Sequence, residues 1–385
     1  MQPGTNNQGE VYAKLEVATR SVEYSQKSWR DFMRELGRCQ DAARCTGRTE
    51  MQRAAGGGPS SRTEPIAIWR EVTRSRILNA SKHPATMPDP KQRSIVIRDL
   101  ESFEDLQQAE AVEREVWALA DRDVLPMTMA IATKAAGSIW IGAFDGREMA
   151  GFAFGFLGVE QGHLMLHSHM LAVREPYRDL DVGHKLKLAQ RDRALAMRIQ
   201  EITWTFDPLQ SKNAHLNFGK LGVISSSYKV DFYGPETSSV LHRNSTDRLW
   251  VTWPMTSRRV RDRLEGRDNR PELLDLLSNL LPLIQFNGDG KPARTDLAAA
   301  LSRQRIAIEI PSDILSVERK DPGLAREWRL ATRWAFTEAL KAGFFVAEFC
   351  RTVRGKQGPG VYLLEKGSVE EYVPEMARSA PSSAQ

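Results

Sequence analysis

Between residues 94 and 366 apolar positions recur in two rhythms, one alternating and one helical, while the first ninety residues follow neither for long. Residues 94–98 read as a short strand. Ser102 caps a helix to about Ala118, with Asp105 completing a weak capping box and Leu106, Ala109, Val112, Val116 and Trp117 along one face. Residues 138–144, 149–157 and His163–Val173 form three strands in meander, the first two joined by the Asp145-Gly146 turn. A long helix is predicted over 183–198, a strand over Glu201–Phe206, a helix over 211–221, and strands over 223–232 and 248–253. This order predicts an α/β (α+β) fold, a mixed, mostly antiparallel twisted sheet flanked by helices.

After Pro254 the pattern changes. Residues 258–270 are dense in arginine and acid and read as a solvated helix or linker. Residues 271–284 read as a leucine-rich helix, 305–310 as a strand and 321–342 as a long helix with Trp328, Leu330, Ala331, Trp334, Ala335 and Leu340 on its broad apolar side. Strands at 344–350 and 360–364 flank a Gly/Lys loop. The expected organisation is an N-terminal extension over 1–93, partly helical or disordered; a ligand-binding domain over 94–254; and a C-terminal α+β accessory module over 255–385 with a disordered tail. Within the extension, helices are expected near 11–37 and 66–78, separated by a Gly/Pro/Ser break at 56–61. The extension reads equally as an appended segment, a partner-binding arm or an over-long translation start.

Composition narrows the function classes. The chain has 385 residues, 41% hydrophobic and 27% charged, which suffices for a sizeable core. A net charge of +5 suits anionic ligands but lacks the dense basic patch of a nucleic-acid binder. The stretch 258–270 offsets its arginines with acids and has no aromatics. Cys39, Cys45 and Cys350 form no CxxC pair, which argues against a disulfide scaffold or zinc site. No run approaches a membrane span, and residues 1–10 carry no signal-peptide pattern. A cytoplasmic protein is expected, with no membrane or nucleic-acid partner and a homodimer left open.

The chemistry concentrates in residues 167–197, a strand that passes through a tight loop into a long helix. The first turn of such a helix presents free N–H groups and the positive end of the dipole, where a phosphate binds. Gly183 allows close backbone approach, Arg178 adds charge, and Lys185 and Lys187 lie on the first helical turns. His167 and His169 are two apart on a strand and share a face. They read as a base that titrates near neutrality, as packed strand histidines or, without a nearby acidic or Cys partner, least well as a metal pair.

Pro176-Tyr177-Arg178 followed by Val182-Gly183 and the aliphatic Leu186 and Leu188 resembles the pyrophosphate loop of the GNAT acyltransferase superfamily. Residues 202–222 are similar to that family's next strand and helix, with Leu221-Gly222 closing it. The segments 167–171, 187–191 and 203–209, with 308–311, 327–329 and 332–333 in the tail, look like one bacterial branch of the superfamily, some of whose relatives transfer succinyl groups to amino acids. The resemblance spans roughly residues 95–364.

It implies acyl-CoA, acetyl-CoA or succinyl-CoA, as co-substrate, with no metal, and transfer of the acyl group to the amine of a small molecule or amino acid by direct attack. The pyrophosphate would lie on Arg178, Asp179, Leu180, Asp181, Val182, Gly183 and His184. The pantetheine arm would pair with Leu171, Ala172 and Val173 where the two strands splay, a backbone N–H near Leu171 polarising the thioester carbonyl. Candidate catalytic groups are His167, His169 and Tyr233. Asn213 is expected to cap its helix and contact the CoA arm. Asp207 and Lys212 are expected at the acceptor, with Lys212, Arg174 and Lys220 as cations for an acyl carboxylate. Two departures stand out: Asp181 replaces a loop glycine, placing a carboxylate beside the pyrophosphate, and Phe218 stands where the family often has a proton-donating tyrosine. A degenerate acyl-CoA sensor or interaction module is the alternative function.

Overall fold

The computed structural model describes residues 94–160, 162–234, 244–267, 270–280, 282–351 and 358–372. The helices expected at 11–37 and 66–78 lie outside them. Residues from 95 onward form a compact unit.

Ile95–Asp99 is β1, and Phe103–Trp117 is α1. The Ser102 hydroxyl and the Asp105 carboxylate cap α1 reciprocally, so the capping box is real. Met127–Ala135 is α2, which follows Pro126 and had no clear apolar period. Ile139–Asp145, Glu148–Glu160 and His163–Val173 are β2, β3 and β4. Val182–Ala196 is α3 and Glu201–Phe206 is β5. Ser211–Ala214 is α4, which widens into a π-turn over His215–Leu221 and closes on Gly222 at φ +76°. Ile224–Lys229 and Arg248–Pro254 are β6 and β7.

The remaining elements are α5 (Arg258–Leu264), α6 (Arg270–Asn279), β8 (Pro282–Phe286), β9 (Pro292–Arg294), α7 (Leu297–Leu301), β10 (Arg305–Ile310), α8 (Ile314–Lys320), α9 (Pro322–Lys341), β11 (Phe344–Cys350) and β12 (Gly360–Lys366). Two expectations change here. The leucine run does not stay helical to 284, because Pro282 opens a strand that pairs with β10. Residues 258–264 are the helix of the two readings, but not a wholly solvated one: Arg259 and Arg263 turn inward onto Glu348 at 2.7 and 2.6 Å.

The strands form one twelve-stranded sheet in the order β1-β2-β3-β4-β5-β7-β6-β11-β12-β10-β8-β9. Its pairings are antiparallel except β4–β5 and β8–β10. The mixed, mostly antiparallel architecture flanked by helices is the one expected. Strands β6 and β11 join the halves at Val346↔Ser225. The largest core runs beneath both: Leu186 and Ala194 of α3 and Trp328, Ala335 and Phe336 of α9 belong to the same buried cluster. A second core, with Leu106 and Val112 of α1 against Phe152, Phe154 and Met170, covers the opposite face of β1–β4. Among the described residues no helix is long and apolar enough to cross a membrane.

Candidate functional site at the β4–β5 divergence

Strands β4 and β5 run parallel and pair only at Leu166↔Ile202 and His167↔Thr203. Beyond that register β4 continues to Val173 and β5 to Phe206 without pairing. The two therefore open into a V, and the edge of β4 from His169 to Val173 faces the gap. A bulge contributes to the divergence. Phe154 pairs with Met170 and Gly155 with Ser168, which leaves His169 with no register partner on β3. An extra residue bends the bulged strand and re-aims its side chain.

The bulge brings the two histidines together. Their ring centroids lie 6.3 Å apart, and Phe156 is 5.3 Å from His167 and 5.8 Å from His169. His167 is buried, stacked on Trp250 at 4.8 Å and hydrogen-bonded through Nδ1 to Thr203 Oγ1 at 3.1 Å. Burial first, then the positive charges of His169 and Lys187, lowers its pKa to about 4. His169 is reached by solvent but crowded by Phe154 and Phe156, and this desolvation lowers its pKa too. Both rings are therefore neutral near pH 7 and able to accept a proton, and His169 is the one an incoming amine can reach. Tyr233 stands on the same face, half-exposed, with its hydroxyl 3.2 Å from Thr205 Oγ1.

At the mouth of the V, Glu175–Leu180 forms a 3₁₀ turn whose Tyr177 hydroxyl donates to Asp145. Asp181 follows at φ 59°, ψ 22°, in the left-handed region that favours glycine. Its side chain does not cap α3. Instead it accepts from Lys220 Nζ at 2.6 Å and pairs with His184 Nδ1 at 2.9 Å. Partial burial raises its pKa, but the Lys220 and His184 hydrogen bonds outweigh that and hold it below the usual value. The expected repulsion toward a pyrophosphate is thus neutralised within the chain. The first-turn N–H groups at Val182, Gly183 and His184 have no intrahelical acceptor by helix geometry.

Gly183 sharpens this point. A Cβ there would meet only Val173 and Leu171, at 3.8 and 3.9 Å, ordinary contact distances. Its φ is not in the left-handed region either. Packing within the chain does not require glycine at a position where it weakens a helix, and the missing side chain keeps the loop backbone open to a ligand. Arg178 and Asp179 are exposed, and the Arg178 Nε donates to the Val173 carbonyl at 3.3 Å. Leu180 and Val182 tuck inward, Val182 fully. Ala172 is buried in the α1-side core, while Leu171 and Val173 pack toward α3.

Several expected roles change. Asp207 is not open to an acceptor amine. Both its oxygens pair with Arg329 of α9 at 2.8 Å, and Oδ1 also takes the Leu209 N–H. Asn213 is no cap: Gln210 holds that position, and Asn213 is exposed within α4. Lys212 is exposed beside it. Of the other cations considered for an acyl carboxylate, Arg174 is paired with Glu115 and Glu148, and Lys220 with Asp181. Phe218 is fully buried, its ring edge-on to Phe206 and Tyr362 with centroids 6.2 and 5.8 Å away, a joint of the core. Lys187 does not reach the loop with Lys185; it turns into the core, donating to Ser168 Oγ at 2.6 Å, with its Nζ 3.6 Å above the Trp204 ring. Only its spacing of seven residues from the buried Ala194 hinted that it faces inward.

No family model matches the chain, and no curated protein matches it. Solved structures do. The ribosomal-protein-S18-alanine N-acetyltransferase from Escherichia coli is 16% identical with a TM-score of 0.34, over 42% of this chain and 94% of that one. A GNAT-family acetyltransferase from Streptococcus pneumoniae is 15% identical with a TM-score of 0.34, over 41% and 98%. A chain of the NatC complex bound to Gag peptide and CoA is 18% identical with a TM-score of 0.33, over 42% and 99%. At these scores the fold rests on the strand order and register given above, which are consistent with the acyl-CoA N-acyltransferase type expected from the sequence.

Proposed function

We propose that the chain is an acyl-CoA-dependent N-acyltransferase that moves an acetyl or succinyl group to the amine of a small molecule, an amino acid among the candidates. The observation that carries this is the V between β4 and β5, open-edged on β4 and leading from the uncapped first turn of α3 to a neutral histidine pair. Acyl-CoA is consumed there as co-substrate. Backbone groups at Val182, Gly183 and His184, with Arg178, hold the pyrophosphate; the β4 edge at Leu171 and Val173 pairs with the pantetheine arm. An N–H near Leu171 stabilises the oxyanion as the amine adds to the thioester. His169 takes the proton the amine must lose, and His167, set by Thr203 and Trp250, supports it from below. Tyr233 flanks the acceptor.

The test is a free-thiol assay with acetyl-CoA and succinyl-CoA across a panel of amines and amino acids. Thiol release that depends on both donor and acceptor is the expected result. Tight CoA binding with no release for any acceptor would favour the sensor instead.

A further inference from the structure

We propose that Lys187 is a second catalytic group of this site, the acid that protonates the thiolate as CoA departs. The inference rests on the acyl-CoA reading above. Lys187 Nζ sits at the vertex of the V. Its contacts on the two strands, Ser168 on β4 and Trp204 on β5, each follow the last paired residues, His167 and Thr203. It approaches from the α3 face, whereas His167 and His169 cluster with Phe154 and Phe156 on the α1 face. From the first turn of α3, beside Val173, back to Ser168 the strand covers roughly 15 Å. An extended pantetheine arm laid along that edge brings its sulfur to the vertex.

The surroundings of Lys187 do not explain it as structure. It is buried, yet among the described residues it has no carboxylate partner; it has Ser168, a long contact to Gln190 Oε1 at 3.5 Å and the Trp204 face. Buried charges are ordinarily paired. The one titratable neighbour whose charge it opposes is His167, across β4. Burial pushes the Lys187 pKa well below its ordinary value, so its ammonium is a stronger acid than a surface lysine. The other candidate acids are elsewhere. Phe218 has no proton to give, Tyr228 donates to Asp247 and stacks on Phe336, and Tyr233 lies by Thr205 on the α1 face.

The step balances. The amine nitrogen forms a bond to the acyl carbon and the carbon–sulfur bond breaks. The amine proton passes to His169, and the electron pair left on sulfur takes a proton from the Lys187 ammonium, leaving a neutral amine that regains a proton from water once CoA has left.

The thiol of bound CoA reports this contact without any acceptor. Its ionisation is followed by thiolate absorbance across pH in the full chain and in Lys187→Met, with Lys187→Gln carrying the same comparison if the Met variant does not fold. In the wild type the bound thiol is expected to ionise more readily than in free CoA, and the substitution to lower its ionisation constant about tenfold or more. With an active acceptor, Lys187→Met is expected to lower kcat about 100-fold and leave KM unchanged. CoA that binds wild type and variant alike with the same thiol titration would overturn the role of Lys187 alone. A wild-type chain that binds no CoA would overturn the acyl-CoA reading and this inference with it.

Discussion

Arg329 and Lys187 are both buried cations, each at 2% exposure, and their surroundings are opposite. Arg329 joins α9 to the end of β5 through a two-point pair with Asp207 and donates to the Asn244 carbonyl. Desolvation lowers its pKa, but Asp207 more than compensates and the net shift is upward. Lys187 has a hydroxyl and an aromatic face, no carboxylate, and a pKa pushed down. A buried cation with a matched anion is a joint of the fold. One held by neutral groups where two strands part is poised to exchange a proton. The contrast also separates the two halves of the sheet: the α9 side is fastened by ion pairs, with Arg333 meeting Asp247 at 2.7 Å, while the β4–β5 side is left open and polar at its vertex.

The largest effect expected from breaking the contrast is on the fastened side. Asp207→Ala leaves Arg329 buried and unpaired, and should cost about 3–5 kcal/mol of stability in denaturant unfolding. A loss below about 1 kcal/mol would mean the pair is not a joint. On the open side His169→Ala should lower turnover about 100-fold or more while acetyl-CoA affinity stays within about twofold. Unchanged turnover would remove His169 from the base role.

His167 sharpens the comparison through pH. Its folded pKa of about 4 lies below the ordinary 6.5, so the unfolded chain binds more protons between those values. Stability is therefore retained above pH 6.5 and lost as pH falls toward 4, by up to about 3 kcal/mol. In His167→Gln the acid slope of unfolding free energy should flatten over that window; an identical slope would place the titrating group elsewhere. The smallest effect is at Gly183→Ala. With ordinary contacts waiting for its Cβ, the variant should be about 0.5–1 kcal/mol more stable and yet bind acetyl-CoA more weakly. A stabilised variant with unchanged affinity would show that the loop backbone does not approach the pyrophosphate.

Apart from α2, which has no clear apolar period, the strands and helices from 95 to 254 were legible because each has its own period and its own punctuation: the Ser102 box, the Asp145-Gly146 turn and Leu221-Gly222. The helices over 258–264 and 270–279 were legible, but the burial of the first and the end of the second were not, for a physical reason. Arg259 and Arg263 look solvated until Glu348, far along the chain, supplies their partner, and the leucines before Pro282 do not reveal that the helix has already ended. The loop at 178–184 and the histidine pair are local motifs and were visible as such. The reassignments of Asp207 and Lys187 depend on long-range geometry, and that of Asn213 on where its helix begins. Arg329 lies 122 positions from Asp207, and no spacing rule links them. Lys187 carries a charge, and charge by itself suggested the surface.

The measurement that bears most directly on the function is calorimetric titration of the full chain with acetyl-CoA. Saturable binding to one site per chain is the expected result, weakened when a bulky anion replaces the open backbone in Gly183→Glu. No binding at millimolar acetyl-CoA or CoA would contradict the account, since neither an acyltransferase nor an acyl-CoA sensor could then occupy the β4–β5 cleft.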